Sequence, residues 1–232
     1  MLEGVIFDMD GVIIDSHPAH RQAWRTFLQT LNRTVSDAEL DFVLDGRKRG
    51  EILRYFLGEL SDEQIRELGN RKDEFFKKAS LQPKLIPGVV EFLNCVRRAG
   101  IVTAIATSAS ESRTRHTLEY LRLLDKFAVI VTGNDVAVGK PDPSIYSLAC
   151  ERLNVSPGCA LAIEDAVSGV KAATGAGLIC VAVANHHSPQ KLRAAGAARV
   201  VQNFVGLSLT QLLHISHACR ITPISVAFSG AR

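Results

Sequence analysis

From residue 87 onward the chain alternates short apolar runs with amphipathic helical segments, and this alternation limits the possible folds more than any other feature. One further apolar run, at residues 5–7, precedes it near the amino terminus. Strands separated by helices favour a parallel sheet with right-handed crossover connections. The predicted fold class is therefore α/β, with strands at residues 5–7, 101–107, 128–132, 159–163, 178–183 and 199–201.

The stretch between the first two predicted strands has a different character. Residues 16–81 contain no strand pattern, and their apolar residues recur at helical spacing. Ser36 and Ser61 each precede an acidic turn typical of a helix start, and Pro83 and Pro87 break the helical register. This pattern predicts an inserted all-helical cap at residues 16–81, a core at residues 1–15 and 82–219, and a tail at residues 220–232. For the tail, a disordered end and an extra edge strand are both open.

The charge balance gives no argument for a polyanionic partner. The 232 residues carry 27 basic and 24 acidic side chains, a net charge of +3, with no basic run. We find no apolar stretch long enough to span a bilayer and no signal-peptide pattern at the amino terminus. The sequence therefore predicts a cytoplasmic protein with a small-molecule partner, no nucleic acid and no membrane, and a monomer rather than an obligate oligomer.

The five cysteines form no metal-binding or disulfide pattern. They are scattered, none stands in a C-x-x-C, and most have apolar neighbours. We expect reduced, largely buried thiols at Cys95, Cys150, Cys159, Cys180 and Cys219.

Polar residues follow four of the predicted strands. Because ligands of an open parallel sheet bind beyond the carboxyl ends of its strands, these residues are expected to meet at one edge. They are Asp8 and Asp10 after the first strand, Thr107 to Ser110 after the second, Lys140 after the third, and Glu164 and Asp165 after the fourth.

Each of these groups has an ordinary explanation when it is taken alone. Ser110 fits a helix N-cap, Lys140 an exposed loop lysine, and Glu164 with Asp165 an acidic helix start. Together they supply a carboxylate nucleophile, an oxygen-ligand set suited to Mg²⁺, a hydroxyl that can hold phosphate, and a neutralising ammonium. That combination indicates phosphoryl transfer by positioning and electrostatics.

In this order and spacing, the four groups resemble the four motifs of the haloacid dehalogenase superfamily. The closer resemblance is to the branch that contains beta-phosphoglucomutase and small sugar-phosphate phosphatases, and it extends over the chain up to the tail. It implies a Rossmann-like core with a mobile helical cap inserted after the first strand.

The resemblance also implies a mechanism. Asp8 would attack phosphorus and form an aspartyl-phosphate, while Asp10 would protonate the leaving oxygen and then activate water or a hydroxyl group. The metal would be Mg²⁺, held by Asp8, the Asp10 carbonyl and Asp165, with Glu164 close by. The transferring phosphoryl group would be bound by Ser108, Ala109 and Lys140.

The cap is expected to select the substrate. His20 and Arg49 stand where beta-phosphoglucomutase-like proteins carry a cap histidine and a phosphate-binding arginine, and Ser110 also fits the mutase pattern. The mutases continue with lysine and asparagine, whereas this chain has Glu111 and Ser112. A carboxylate there is expected to repel a distal phosphate, so we favour a Mg²⁺-dependent phosphatase of a small phosphorylated metabolite, most simply a sugar phosphate.

Two alternatives to this phosphatase are open, and a third is disfavoured. The first is a phosphosugar mutase of the beta-phosphoglucomutase type, and the second is a phosphate-binding protein without turnover. The third, hydrolytic dehalogenation, is disfavoured because Asp10 and the acidic pair after the fourth strand would then be surplus.

Two histidine-containing patterns are interpreted as ordinary surface. His186 and His187 follow a strand end without cysteine or acidic ligands at useful spacing. His116 stands among Arg113, Arg115 and Arg122, which predicts a solvated helix face.

Overall fold

A computed structural model of the protein describes residues 2–80 and 82–212. Its strands are β1 (Gly4–Phe7), β2 (Ile14–Asp15), β3 (Lys84–Leu85), β4 (Val102–Ala106), β5 (Val129–Val131), β6 (Ala160–Glu164), β7 (Ile179–Val183) and β8 (Arg199–Val201). Its α-helices are α1 (His17–Gln29), α2 (Asp37–Val43), α3 (Arg49–Leu57), α4 (Asp62–Ala79), α5 (Val89–Arg98), α6 (Glu111–Tyr120), α7 (Ser144–Leu153), α8 (Val167–Gly175) and α9 (Pro189–Ala194).

Six of these strands form one parallel sheet in the order β5-β4-β1-β6-β7-β8. The central strand, β1, is buried on both faces, as continuous apolar runs in parallel sheets usually are. Phe7, its last residue, is in register with Ile105 and Ile163 on the two neighbouring strands. The residues that follow β1, β4 and β6 therefore leave the sheet side by side, and the predicted α/β fold with a parallel Rossmann-like sheet is confirmed.

Helices cover both faces of the sheet, since alternate residues of each strand point into two separate apolar cores. Phe7 packs on one face with Phe92 of α5, while Ile6 packs on the other with Tyr146 of α7. Because helices pack on both faces of the sheet, the strand ends where the polar residues meet are held in place.

Helices α1 to α4 pack around a core of their own, which contains Trp24, Phe27 and Phe56. Ser36 and Ser61 form capping boxes with Glu39 and Gln64, as their sequence context predicts. We call residues 17–79 the helical segment. That it is a separate mobile cap stays a prediction.

A short ribbon that the sequence pattern does not predict joins the helical segment to the sheet. Strands β2 and β3 pair antiparallel, with Ile14 opposite Leu85 and Asp15 opposite Lys84. The chain therefore leaves and re-enters the sheet layer through two adjacent two-residue strands. The two predicted boundaries of the cap, at residues 16 and 81, lie within a few residues of this ribbon.

The sequence pattern predicts a helix over residues 111–124, but α6 ends earlier, at Tyr120. After Tyr120, Arg122 adopts a left-handed conformation with φ of 56°. The amide of Leu123 then donates to the carbonyl of Leu118 at 2.8 Å, and that of Arg122 to Glu119 at 2.9 Å. This is a Schellman termination, which closes the helix without a glycine.

The sequence pattern also predicts a helix over residues 207–215, and the observed helix begins at residue 209 and extends to the end of the described residues. The predicted tail at residues 220–232 lies outside the described residues. Within residues 2–80 and 82–212, every helix is too short or too polar to cross a membrane.

Candidate active site

Lys140 is at the centre of a buried charge cluster beneath the sheet edge. Its side chain is 1% exposed. Its ammonium group donates to Asp8 Oδ1 at 2.9 Å, to Glu164 Oε1 at 2.6 Å and to the Ala106 carbonyl at 3.1 Å. All three ammonium hydrogens therefore have an acceptor. Burial lowers the pKa of Lys140, but Asp8 and Glu164 outweigh it and raise that pKa above its ordinary value.

Asp8 is placed at the end of β1, where its amide donates to the Ile163 carbonyl of β6 at 2.9 Å. Burial raises the pKa of the Asp8 carboxyl to about 8 against the opposing effect of Lys140, with smaller upward contributions from Glu164 and Asp165. Positive charge in addition to that of Lys140 would favour the ionised form of Asp8.

Glu164 is fully buried, and both of its oxygens already have donors. The Tyr146 hydroxyl donates to Oε1 at 2.6 Å, in addition to Lys140. The amides of Asp165 and Ala166 donate to Oε2 at 3.0 and 3.4 Å. Glu164 is therefore suited to hold the lysine in place more than to bind a metal directly.

Asp165 completes a cluster of three buried carboxylates with Asp8 and Glu164. Asp8, Glu164 and Asp165 each offer an oxygen, and these oxygens lie within 4.8 Å of one another. Asp165 Oδ2 is buried and forms an ion pair with His17, whose Nε2 lies 3.0 Å away. Burial raises the pKa of Asp165, and His17 opposes that shift. The oxygen-only, negatively charged donor set of this cluster fits a hard divalent cation such as Mg²⁺.

Asp10 is held by three side chains from different elements. Arg113 of α6 forms a two-pronged ion pair with both carboxylate oxygens, at 3.0 Å for Nη1 to Oδ1 and with Nη2 in contact with Oδ2. The Ser16 hydroxyl donates to Oδ1 at 2.6 Å, and His20 Nε2 lies 3.5 Å from it. Burial raises the pKa of Asp10, but Arg113 and His20 outweigh burial and hold that pKa well below its usual range.

His20 is fixed by α4. Its ring stacks on Phe76 with centroids 4.2 Å apart, and Lys72 Nζ lies 3.3 Å from Nδ1. Burial and the Lys72 ammonium lower the pKa of His20 to about 3, which outweighs the opposite effect of Asp10. Because a lysine can only donate, Nδ1 is the acceptor, and the proton of the neutral ring is on Nε2, toward Asp10.

A cavity of about 390 Å³ lies between the sheet edge and the helical segment. Asp8, Asp10 and Asp165 line it, and Lys140 with Glu164 lies just behind them. Ser108 donates to the Gly46 carbonyl at 2.6 Å, so the loop of the helical segment touches the loop after β4. The remaining predicted site residues also line this cavity: Ser108, Ala109, Ser110, His20 and Arg49.

Comparison with known proteins places this arrangement in a family. The model of the haloacid dehalogenase-like hydrolases matches residues 2–177. A phosphorylated carbohydrates phosphatase of Thermotoga maritima is 35% identical over 214 residues, which cover 87% of this chain and 94% of that protein. The beta-phosphoglucomutase of Bacillus subtilis is 32% identical over 222 residues, 92% of this chain and 94% of that protein.

The chain belongs to the haloacid dehalogenase-like hydrolases. The resemblance carried by its four motifs is thereby confirmed, and the protein is an enzyme of a family in which similar proteins are named as phosphatases. The crystal structure of beta-phosphoglucomutase from Clostridium difficile superposes with a TM-score of 0.85, covering 96% of this chain and 100% of that one. At 24% identity, this similarity supports the fold alone.

In this hydrolase Arg113 is not part of a solvated helix face, which corrects the interpretation of the arginines around His116. Its side chain is only 14% exposed, and its guanidinium lies 5.1 Å from the Phe76 ring centre. Arg115, two residues on, is half exposed and pairs with Glu111 at 2.9 Å. Arg113 is therefore a site residue that the sequence pattern does not predict.

Two expectations about charge in the cavity change as well. Arg49 lines the cavity of the hydrolase, but its guanidinium pairs with Asp73 at 2.6 Å. Glu111 is directed to Arg115 and is not among the cavity-lining residues. Its expected repulsion of a distal phosphate therefore has no direct geometric support.

His186 and His187 are not freely exposed, contrary to expectation. His186 Nε2 lies 3.4 Å from Asp41 Oδ1, and His187 Nε2 lies 3.9 Å from Asp45 Oδ1. Burial and the neighbouring cations lower the pKa of His186 to about 4, with Asp41 opposing. These contacts join the loop after β7 to the helical segment.

The cysteines agree in part with the expectation of buried thiols. Cys150 and Cys180 are buried free thiols, whereas Cys95 is exposed. Burial raises the pKa of both buried thiols. Cys219 lies outside the described residues.

Two glycines of α8 provide a direct test of how tightly the Glu164 carboxylate is packed. A Cβ at Gly169 would overlap that carboxylate, whereas a Cβ at Gly175 would meet only Pro143 at an ordinary 3.6 Å. Gly169→Ala is expected to lower the free energy of unfolding by about 1–3 kcal/mol through overpacking. Gly175→Ala is expected to leave it unchanged or raise it by up to about 1 kcal/mol through helix propensity.

Urea denaturation of both variants measures the difference. Equal stability of the two alanine variants would contradict the tight packing of Glu164 against α8.

Proposed function

We propose that this hydrolase is a Mg²⁺-dependent phosphatase of a small phosphorylated metabolite, with a sugar phosphate as the simplest substrate. The observation that carries the proposal is the convergence of Asp8, Lys140 and Asp165 at the floor of a cavity that also contains Asp10. The name of the Thermotoga maritima relative supports the substrate class. The cavity volume of about 390 Å³ suits a small metabolite.

In the proposed first step, an Asp8 oxygen forms a bond to phosphorus while the bond from phosphorus to the ester oxygen breaks. Asp10, in its protonated form, gives a proton to that leaving oxygen and is left as a carboxylate. In the second step, Asp10 takes a proton from water, whose oxygen attacks phosphorus and releases Asp8 and inorganic phosphate. The ionised carboxylate that Arg113 stabilises is the form of Asp10 needed to accept this proton.

Lys140 has a supporting part in this mechanism. Its ammonium fixes Asp8 Oδ1 and neutralises negative charge next to the transferring group. Ser108 and the backbone around Ala109 border the cavity where the phosphoryl oxygens would lie. Together, these fixed groups would take the place of water in stabilising the negative charge of the transferring phosphoryl group.

Asp8 and Asp165 would hold Mg²⁺ together with the Asp10 carbonyl, while Glu164 keeps Lys140 in position. When bound, Mg²⁺ would supply positive charge that stabilises the ionised nucleophile and the phosphoryl oxygens. Removal of divalent cations with EDTA is expected to reduce phosphate release at least about 100-fold, and excess Mg²⁺ is expected to restore it.

The experiment is a panel of sugar phosphates and other small phosphate esters, assayed for inorganic phosphate before and after metal removal. Protein dialysed without chelator is the control. Full activity after exhaustive chelation would contradict the metal requirement, and release from none of the esters would contradict the phosphatase.

A phosphosugar mutase is the second candidate. It is favoured by the 32% identity to the Bacillus subtilis beta-phosphoglucomutase and by the position of Glu111 outside the cavity. Incubation with β-glucose 1-phosphate and a trace of glucose 1,6-bisphosphate separates the two. A mutase yields glucose 6-phosphate, whereas we expect only glucose and inorganic phosphate.

The cytoplasmic location and the monomeric state expected from the sequence stay predictions, as does the phosphate-binding alternative without turnover.

A further inference from the structure

Arg49 and Asp73 form an ion pair on the helical-segment side of the cavity. Arg49 begins α3 and Asp73 lies in α4, whereas Asp8 directly follows β1 on the sheet side. Arg49 Nη1 donates to Asp73 Oδ2 at 2.6 Å, and both residues line the cavity. We call Arg49 and Asp73 the distal pair, because a substrate that extends from the nucleophile toward the helical segment would meet it.

A glycine inside α4 gives Arg49 room to reach Asp73. Gly69 is buried one helical turn before Asp73, and a Cβ there would overlap the Arg49 guanidinium. A glycine in a helix interior costs about 1 kcal/mol relative to alanine. At Gly69 this cost is accompanied by close packing of the arginine against α4. The distal pair is therefore held by packing as well as by charge.

Asp73 also faces a second cation. Its Oδ1 lies 3.5 Å from Nζ of Lys72, whose side chain is 4% exposed. The same ammonium lies 3.3 Å from His20 Nδ1. One carboxylate therefore compensates two cations that border the cavity, each through a different oxygen. A second phosphate that approached these cations would lie beside a carboxylate that already serves both.

The two cations that precede Arg49 are also engaged. Arg47 lies 3.6 Å from Asp45 and 3.6 Å from Glu51. Lys48 donates to the Val136 carbonyl at 2.7 Å. A phosphate at this end of the cavity would therefore have to replace contacts that the protein already makes.

We propose that the distal pair selects phosphate esters whose remaining part is an uncharged polyol and rejects esters that carry a second phosphate. This inference rests on the proposed function and narrows its substrate class. A hydroxyl group both donates and accepts hydrogen bonds, so it matches a carboxylate beside a guanidinium. A second phosphate would instead bring about two negative charges next to Asp73. Asp73 is therefore a specificity-determining residue, because it occupies the arginine that would otherwise bind that phosphate.

The test compares fructose 1-phosphate with fructose 1,6-bisphosphate in the intact enzyme with Mg²⁺. The esters differ by the second phosphate, and initial release of inorganic phosphate gives kcat/KM for each. The unaltered enzyme is expected to favour the monophosphate at least about 10-fold. Asp73→Asn keeps the shape of the side chain and removes its charge. It is expected to raise the ratio of bisphosphate to monophosphate kcat/KM at least about 10-fold, mainly through a lower KM for the bisphosphate.

Two further variants separate the distal pair from a general effect of charge. Arg49→Gln in the Asp73→Asn background is expected to remove the gain, because the freed guanidinium is the group that binds the second phosphate. Glu74→Gln is the matched control, since it removes a negative charge from the next position of α4. Glu74 is 63% exposed and pairs with Lys77, and its variant is expected to keep the ratio within about twofold.

A second measurement does not depend on turnover. Calorimetric titration of the Asp8→Asn protein with each fructose ester and Mg²⁺ gives the two values of Kd. Addition of Asp73→Asn to this protein is expected to lower Kd for the bisphosphate at least about 10-fold and to change that for the monophosphate less than about threefold.

Three results would overturn the selection while leaving a phosphatase: an unchanged ratio in Asp73→Asn, an equal rise in Glu74→Gln, or a gain that persists without Arg49. If the unaltered enzyme releases phosphate from no ester of the panel, the proposed function fails. The titrations then decide for the distal pair, as they do if only other esters are hydrolysed. Tighter bisphosphate binding in the Asp73→Asn protein supports the selection, and unchanged affinity or no binding overturns it. Circular dichroism identifies variants that do not fold, and Asp73→Ser then replaces Asp73→Asn.

Discussion

Asp8→Asn is expected to lower kcat for phosphate release by at least about 1,000-fold, the largest effect on activity of any single change. An asparagine amide can neither attack phosphorus as a carboxylate does nor contribute a negative charge beside Asp165. The measurement is steady-state release of inorganic phosphate with saturating Mg²⁺, with substrate taken from the sugar phosphate panel.

The fold is expected to survive this substitution. Asp8 is buried with two other carboxylates and one lysine, so removal of its charge relieves repulsion and leaves Lys140 paired with Glu164. Asp15→Asn, at an exposed position of β2, is the matched control and is expected to keep full activity. An Asp8→Asn enzyme with unchanged activity would refute the covalent mechanism.

Lys140→Met is expected to have the largest effect on stability, a loss of about 3–5 kcal/mol in the free energy of unfolding. Methionine is of similar length and apolar, so little packing volume is lost. The substitution removes the ammonium that donates to Asp8, Glu164 and the Ala106 carbonyl, and it leaves these groups buried without their cation. Loss of one partner of a buried ion pair leaves an uncompensated charge.

Urea denaturation at pH 7.5 without divalent cations measures this loss, since a bound metal could replace part of the missing charge. Lys171→Met, at an exposed position of α8, is the control and is expected to change stability by less than about 0.5 kcal/mol. Equal stability of the two methionine variants would mean that the buried lysine contributes nothing net to the folded state.

The sequence predicts those parts of the fold that depend on local pattern or on strand ends. The helix starts at Ser36 and Ser61 follow from capping chemistry, which acts within four residues. The meeting of Asp8, Lys140 and Asp165 follows from parallel strands that end at one edge. Neither conclusion needs knowledge of how separate layers pack.

Contacts between layers could not be predicted in the same way. Arg113 and Arg115 lie two positions apart, so they point to nearly opposite sides of α6, and their sequence context does not tell which side faces the helical segment. Strands β2 and β3 have two residues each, too few for any periodicity. His186 and His187 acquire acidic partners from α2 and from the loop that follows it, which are far from them in the sequence.

The hydrogen bond between Ser108 and the Gly46 carbonyl has a consequence for ligand affinity. A serine hydroxyl has one hydrogen, and here the protein's own backbone already accepts it. A phosphoryl oxygen that takes this hydrogen must displace the carbonyl, so Gly46 acts as an internal competitor for the anion. Such competition lowers the affinity for inorganic phosphate as much as the affinity for substrate. Inorganic phosphate, which lacks the other contacts of the substrate, is then released more easily.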